Sequence, residues 1–281
     1  MNLDQPRLRG LRNLVHLMVI ALACLTTPAF GQPAPDAAVP RGILIDFATS
    51  KVLFEKNADQ LTAPASLAKL MTVEVLFDQA RKRRVSLDDV FTVSKQVGRF
   101  ARGSTMALEP GSQVRVRDLL QGMLVVSAND AGLVVAEGIA GSVPQFAALM
   151  NQRAHEIGLV RSRFTNPHGL PDPGQHVTMR EMAILAAHLI RTYPEHYGVF
   201  GQQGFTFNGV TQPNRNPLLG LGIGADGLKT GQTSQAGYAL VASAKRGGRR
   251  LILAMNGLRS EAERASEARK LLEWGFQIAP E

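Results

Sequence analysis

The sequence predicts an α+β fold: an antiparallel sheet built from both ends of the chain, with a helical insert between them. Two observations carry this. β-rich runs cluster at residues 42–55 and 237–256, and the stretch between them is dominated by apolar residues at helical spacing. Strands and helices are segregated rather than alternating, which argues against a parallel α/β sheet. The chain has 281 residues, 45% of them hydrophobic and 19% charged, which is globular composition with enough length for a substantial core. Its single cysteine, Cys24, excludes a disulfide framework and any cysteine-based metal site.

Taken in order, the N-terminus reads as an export signal. Arg7, Arg9 and Arg12 precede an apolar run at residues 14–25, and Ala29-Phe30-Gly31 offers small residues at a cleavage site. The run is short for a transmembrane helix, which needs about 20 apolar residues. Residues 1–31 are therefore assigned to a signal peptide, residues 32–40 (QPAPDAAVP) to a tether outside the core, and residues 41–281 to one catalytic domain. Export makes nucleic acid an improbable partner despite the formal net charge of +8.

Residues 42–48 and 52–55 read as strands joined by a turn at Thr49-Ser50-Lys51. Pro64 precedes a helix from about Ser66 to Gln79, with Leu67, Leu70, Met71, Val73 and Phe77 at helical spacing. Helical stretches at 117–126 and 129–139 flank Ser127. Ser142 and Thr178 open further helices as capping boxes, separated by a Pro/Gly-rich loop at 166–175. The helical insert is expected over about residues 96–200. Near the end, residues 237–244 and 250–256 flank a basic tip, Lys245-Arg246-Gly247-Gly248-Arg249, as a hairpin. Ser260 caps a last amphipathic helix reaching about Phe276.

Three short signatures carry chemistry: Ser66-Leu67-Ala68-Lys69, Ser127-Ala128-Asn129 and Lys229-Thr230-Gly231. Each alone is weak, but the ordered set is of the kind found in serine enzymes of acyl transfer. Residues three apart on a helix share a face, so Lys69 can stand over Ser66. A serine hydroxyl needs an adjacent base, and Lys69 can be that base only when neutral, through desolvation or a neighbouring cation such as Lys229. Ser127 can relay a proton to a leaving amine, and Asn129 can hold a loop or a substrate amide. Lys229 and Thr230 can hold a carboxylate, and Gly231 permits close backbone approach on a strand that an extended substrate could join. Backbone N–H groups of Ser66 and Gln232 are candidate oxyanion donors. The histidines show no His-Glu-x-x-His pattern, no Gly-x-Ser-x-Gly elbow is present, and no cofactor or metal is expected. His168 and His176, in the Pro/Gly loop, read as surface or loop-bracing residues.

On these signatures the chain resembles the low-molecular-weight penicillin-binding proteins, specifically serine D-alanyl-D-alanine carboxypeptidases. The resemblance extends through Pro64-Ala65-Ser66-Leu67-Ala68-Lys69, Ser127-Ala128-Asn129-Asp130-Ala131, residues 166–175, Gln212-Pro213-Asn214-Arg215-Asn216 and Leu271-Leu272-Glu273-Trp274-Gly275-Phe276. It implies a β-lactamase/transpeptidase-like fold, with a five-stranded antiparallel sheet flanked by helices beside a helical subdomain. It implies a peptidoglycan stem peptide ending in D-Ala-D-Ala as substrate, an acyl-enzyme on Ser66, β-lactams as inhibitors, and Arg215 as a substrate-binding residue. The C-terminal β domain and amphipathic anchor of many members are absent from this sequence, so a soluble periplasmic protein is expected. The basic hairpin tip is a candidate peripheral contact with envelope polymers. Two alternatives share the machinery: a D,D-endopeptidase acting on cross-links, and a class A-like β-lactamase. The latter is disfavoured because no Glu-x-x-x-Asn motif follows the second signature.

Overall fold

The computed structural model describes residues 1, 33, 35–100 and 102–278, so the signal segment expected at residues 1–31 lies, apart from Met1, outside the described residues. The chain builds a five-stranded antiparallel sheet from both its ends. β1 (Arg41–Asp46) and β2 (Val52–Lys56) form the first hairpin. β7 (Ala225–Thr233), β8 (Gly237–Arg246) and β9 (Arg249–Leu258) close the sheet in the order β2-β1-β9-β8-β7. The first turn is held by Asp46, whose Oδ1 accepts from Ala48 N and Thr49 N, both at 3.1 Å. The second hairpin turns on Gly247-Gly248, with Arg246 opposite Arg249. Arg249 donates to Asp46 and Arg250 pairs with Asp226, so much of the tip's charge is turned inward.

Two further hairpins, not foreseen from the pattern, lie between β2 and β7: β3 (Val90–Thr92) with β4 (Gln113–Arg115), and β5 (Gly204–Phe207) with β6 (Val210–Pro213). They are three and four residues long, too short to show a strand period. The helices are α1 (Lys69–Arg81), α2 (Val116–Gln121), α3 (Asn129–Ala140), α4 (Val143–Glu156), α5 (Met179–Thr192) and α6 (Glu261–Gln277). Ser142, Thr178 and Ser260 each accept from the backbone N–H three residues on, as their sequence patterns predict. The return bond, from the cap's own N–H to the side chain three residues on, is found at none of them: Gln145 Oε1 accepts from the Ser142 hydroxyl. Glu181 instead accepts from Arg161 N and Ser162 Oγ, and Glu263 from Arg259 N.

Strand alternation divides the core in two. Ile43, Ile45, Val241, Ile252 and Ala254 face the helical layer containing α1 and α5. Leu44, Leu240, Ala242, Leu253 and Met255 face α6 with Leu271, Leu272 and Trp274. The tether expected at residues 32–40 is corrected here. Ala37 and Val39 are buried in the α6 core, and Ala38 N donates to Glu267 at 3.0 Å. Two small apolar side chains in a Pro-rich segment give no periodic signal, and only the groove beside α6 reveals their burial. Among the described residues no single helix is long and apolar enough to cross a membrane.

Candidate active site

The site forms where the free edge of β7 passes the start of α1. Ser66 was expected at the beginning of an α-helix. It stands instead on a 3-10 turn, Ala65–Ala68, and Lys69 is the first α-helical residue. Pro64 starts that turn, with Leu67 N donating to Pro64 O at 3.2 Å, and Ala65 sits at φ +48°. In a 3-10 turn residues i and i+3 eclipse, which sets Lys69 directly over Ser66. Lys69 Nζ lies 3.1 Å from Ser66 Oγ. A non-glycine residue at positive φ is strained, and here packing on both sides holds it. A Cβ on Gly169 would fall 1.7 Å from Ala65 O, and a Cβ on Gly231 would fall 3.1 Å from Ala65 Cβ and 3.2 Å from Ser66 N. Gly169 touches the nucleophile turn at a distance that only glycine allows, and Gly231 packs on it closely enough that a side chain would push it by a few tenths of an ångström.

Lys69 is fully buried, with two further contacts: Asn129 Oδ1 at 2.6 Å and His168 O at 2.8 Å. Burial first, then the positive charges of Lys229 and Arg215, push its pKa well below the usual lysine value, against the opposing charge of Asp130. A neutral amine has two N–H bonds and one lone pair. Asn129 and His168 take the two N–H bonds, so the lone pair is left to accept the Ser66 hydroxyl.

Ser127 ends a π-helical turn, Gly122–Val126, in the left-handed conformation at φ +64°. This turns its hydroxyl toward Lys229, whose Nζ donates to Ser127 Oγ and Thr230 O, both at 3.0 Å. Burial, with Arg215 and Arg264 adding repulsion, lowers the Lys229 pKa to about 7. Lys229 is 1% exposed and stands behind Ser127. The wall is formed by Ser66, Ser127, Asn129, Arg215, Thr230, Gly231 and Gln232, around a cavity of about 220 Å³. Every predicted site residue except the two lysines therefore borders one cleft, and the lysines lie immediately beneath it.

Sequence reasoning missed Arg264, Tyr238, Gly103 and Ser104, which also border the cleft. Arg264 is buried over the Tyr238 ring, and its Nε has no hydrogen-bond partner. It lies on α6, where an arginine reads as part of a solvated face, so no local signal marks it. His168 is a loop-brace, as expected, but a buried one. Its Nδ1 accepts from Leu170 N, it stacks on Phe100, and burial together with Lys69 and Arg102 lowers its pKa to about 3.

The family model for D-alanyl-D-alanine carboxypeptidases, peptidase S11, matches residues 29–259. The chain belongs to that family. Its members are serine-type, penicillin-binding carboxypeptidases. The D-alanyl-D-alanine carboxypeptidase DacA of Haemophilus influenzae is 42% identical over 265 residues, covering 92% of this chain and 67% of the relative. Escherichia coli DacC is 44% identical over 251 residues, covering 87% and 63%. The chain thus spans roughly two thirds of the length of these family relatives. The crystal structure of penicillin binding protein 5 from Haemophilus influenzae superposes with a TM-score of 0.84 at 43% identity, over 86% of this chain and 72% of that one. The ampicillin-bound penicillin-binding protein D2 of Listeria monocytogenes gives 0.79 at 29% identity, over 87% of this chain and 100% of that one.

Proposed function

We propose that this chain removes the terminal D-Ala from peptidoglycan stem peptides through an acyl-enzyme on Ser66. The observation that carries this reading is the buried Lys69 amine, with Nζ within hydrogen-bond distance of Ser66 Oγ, Asn129 Oδ1 and His168 O, so that once deprotonated it can keep two N–H bonds to Asn129 and His168 and accept from Ser66. Ser66 Oγ attacks the carbonyl between the two D-alanines as its proton passes to Lys69. Negative charge develops on the carbonyl oxygen beside the backbone N–H groups of Ser66 and Gln232. The C–N bond then breaks, and the proton held by Lys69 reaches the leaving nitrogen, with Ser127 as the relay beside it. Lys69, neutral again, takes a proton from water. The hydroxide equivalent adds to the acyl carbon, and on collapse the proton returns to Ser66 Oγ. The terminal carboxylate lies against Thr230, Arg215 and Arg264.

The basic and apolar N-terminal segment supports export, with cleavage after Gly31. Isolation of a periplasmic form beginning at Gln32 is the expected result, and a cytoplasmic chain that retains the segment contradicts it. For the activity, intact mass is followed with benzylpenicillin alongside D-Ala release from a D-Ala-D-Ala peptide. Wild type gains one penicillin adduct and releases D-Ala, and Ser66→Ala does neither. D-Ala release by Ser66→Ala would overturn the assignment.

A further inference from the structure

The nucleophile and its base are held by short, direct contacts, but the group that aims the base is held less directly. Asn129 Oδ1 takes one N–H of Lys69, and the Asn129 amide is itself fixed by Nδ2 donating to Arg102 O at 2.9 Å. Asn129 N donates to Ser104 O at 2.7 Å. Both acceptors lie on the segment 102–108, which has no regular secondary structure and lines the cleft with Gly103 and Ser104. Such a segment needs an anchor.

The anchor is the next residue along α3. Asp130 is 1% exposed, and its carboxylate accepts from Met106 N at 2.9 and 3.0 Å and from Leu108 N at 3.2 Å, besides its own neighbour Ala131 N at 2.9 Å. Charge-assisted bonds from backbone N–H groups to a buried carboxylate are among the stronger a protein makes. Asn129 and Asp130 together thus grip the segment at residues 102, 104, 106 and 108, every second residue, with the acidic side chain taking the far end.

We propose that Asp130 is a positioning residue: its carboxylate fastens the segment 102–108 to the start of α3, and that segment in turn fixes the Asn129 amide that orients the Lys69 amine. The proposal rests on Lys69 acting as the base for Ser66. Asp130 also acts through its charge. Lys69 is faced by Lys229 from β7, Arg215 from the segment before β7, His168 from the 166–170 loop and Asp130 from α3, and of these Asp130 is the acid. Removing that charge lowers the Lys69 pKa further, so the acid limb of any rate that needs neutral Lys69 moves to lower pH.

The test is the rate constant of acylation by benzylpenicillin, read by intact mass across pH, in wild type, Asp130→Asn, Leu108→Ala and Gly103→Ala. A displacement of about 1 Å at a reacting group is enough for a hundredfold loss. Asp130→Asn keeps the shape but leaves an amide where backbone donors need an acceptor. It is expected to acylate at least about tenfold more slowly on the pH plateau, with its acid limb moved down. Leu108→Ala removes a buried side chain from the same segment while keeping the backbone N–H that donates to Asp130, and is expected to lower the thermal midpoint while leaving the acid limb in place. In Gly103→Ala the new Cβ would stand 2.7 Å from Asn129 Nδ2 at a position with φ +70°, displacing the amide without altering Asp130. It is expected to share the rate loss without the shift of the limb, and it carries the test if Asp130→Asn does not fold. A wild-type rate in Gly103→Ala, or a wild-type rate and limb in Asp130→Asn, overturns the proposal. So does Leu108→Ala reproducing both effects. If wild type forms no adduct, the base assignment fails and the proposal falls with it, which is distinct from a wild type that acylates beside an unaffected Asp130→Asn.

Discussion

Two clusters of buried charge share α1, and they are built on opposite principles. At the start of the helix, Lys69 and Lys229 are buried with Arg215 near them and Asp130 opposing, and burial first, then the neighbouring positive charges, drives the lysine pKa values down. One to two turns later, Glu74 and Asp78 point into the joint between α1, α4 and α5. There Glu74 accepts from Arg153 at 2.7 Å and from Tyr193 OH at 3.1 Å, with His188 Nε2 at 3.3 Å, while Lys82 pairs with Asp78 at 2.7 Å. Its pairing with His188 and Arg153 holds the Glu74 carboxyl below the usual range despite burial. Like charges in a dry site produce a reactive amine. Unlike charges in a dry site produce a brace that is costly to break. The same helix delivers both because residues 74 and 78, four apart, share one face while residue 69 lies on another.

Substitutions should separate the two clusters. The largest expected effect is on activity. Lys69→Ala is expected to lower kcat/KM for D-Ala release by about 10²–10⁴-fold, the range of a general base, while leaving a cooperative thermal transition. Glu74→Ala should do the reverse: lose about 3–5 kcal/mol in urea unfolding, because it takes a buried carboxylate from Arg153, Tyr193 OH and His188 at once, while the folded fraction keeps its turnover. If Glu74→Ala instead cuts turnover in fully folded protein, the clusters are not independent.

Next in size is Arg264→Ala, which removes a charged partner of the substrate carboxylate. It is expected to raise KM for D-Ala-D-Ala peptides by roughly tenfold or more and to have little effect on a C-terminally amidated analogue. Equal losses for both substrates would place the carboxylate elsewhere. A separate effect is on the pH dependence of stability. Lys229 has a folded pKa of about 7 against an ordinary 10.5. Between those values the unfolded chain holds a proton that the folded chain has released, so stability rises with pH across the window and is lowest below it. Lys229→Met should flatten that rise in urea unfolding at pH 7 to 10, and an unchanged slope would mean that the lysine is not depressed. The Glu74 cluster gives a slope of the same sign in a more acid window: its contribution is present above the ordinary glutamate range and is lost as pH falls through the lowered folded value.

The catalytic lysine–serine pair was legible because Ser-x-x-Lys is a local spacing, and local spacing survives whether the turn is 3-10 or α. The sheet was legible for a similar reason: β8 and β9 are ten-residue strands joined by Gly-Gly, and hairpins announce themselves. What the sequence hid is what tertiary packing decides. Arg264 joins the cleft only because α6 packs on the sheet beside Tyr238. Ala37 and Val39 are buried only because α6 offers them a groove. The step of Lys229 behind Ser127 follows from the left-handed turn at Ser127, which a serine between two helical stretches does not reveal.

The most direct test of the central claim is the charge of Lys69 itself, followed by NMR of protein carrying lysines labelled with 15N at Nζ and 13C at Cε, with Lys69→Arg used to assign the signal. Burial of Nζ, with the positive charges of Lys229 and Arg215 near it, lowers the Lys69 pKa, and its role as the base requires a neutral amine at pH 7. A Lys69 signal that remains an ammonium through neutral pH would contradict the account, because a charged lysine has no lone pair with which to take the proton from Ser66.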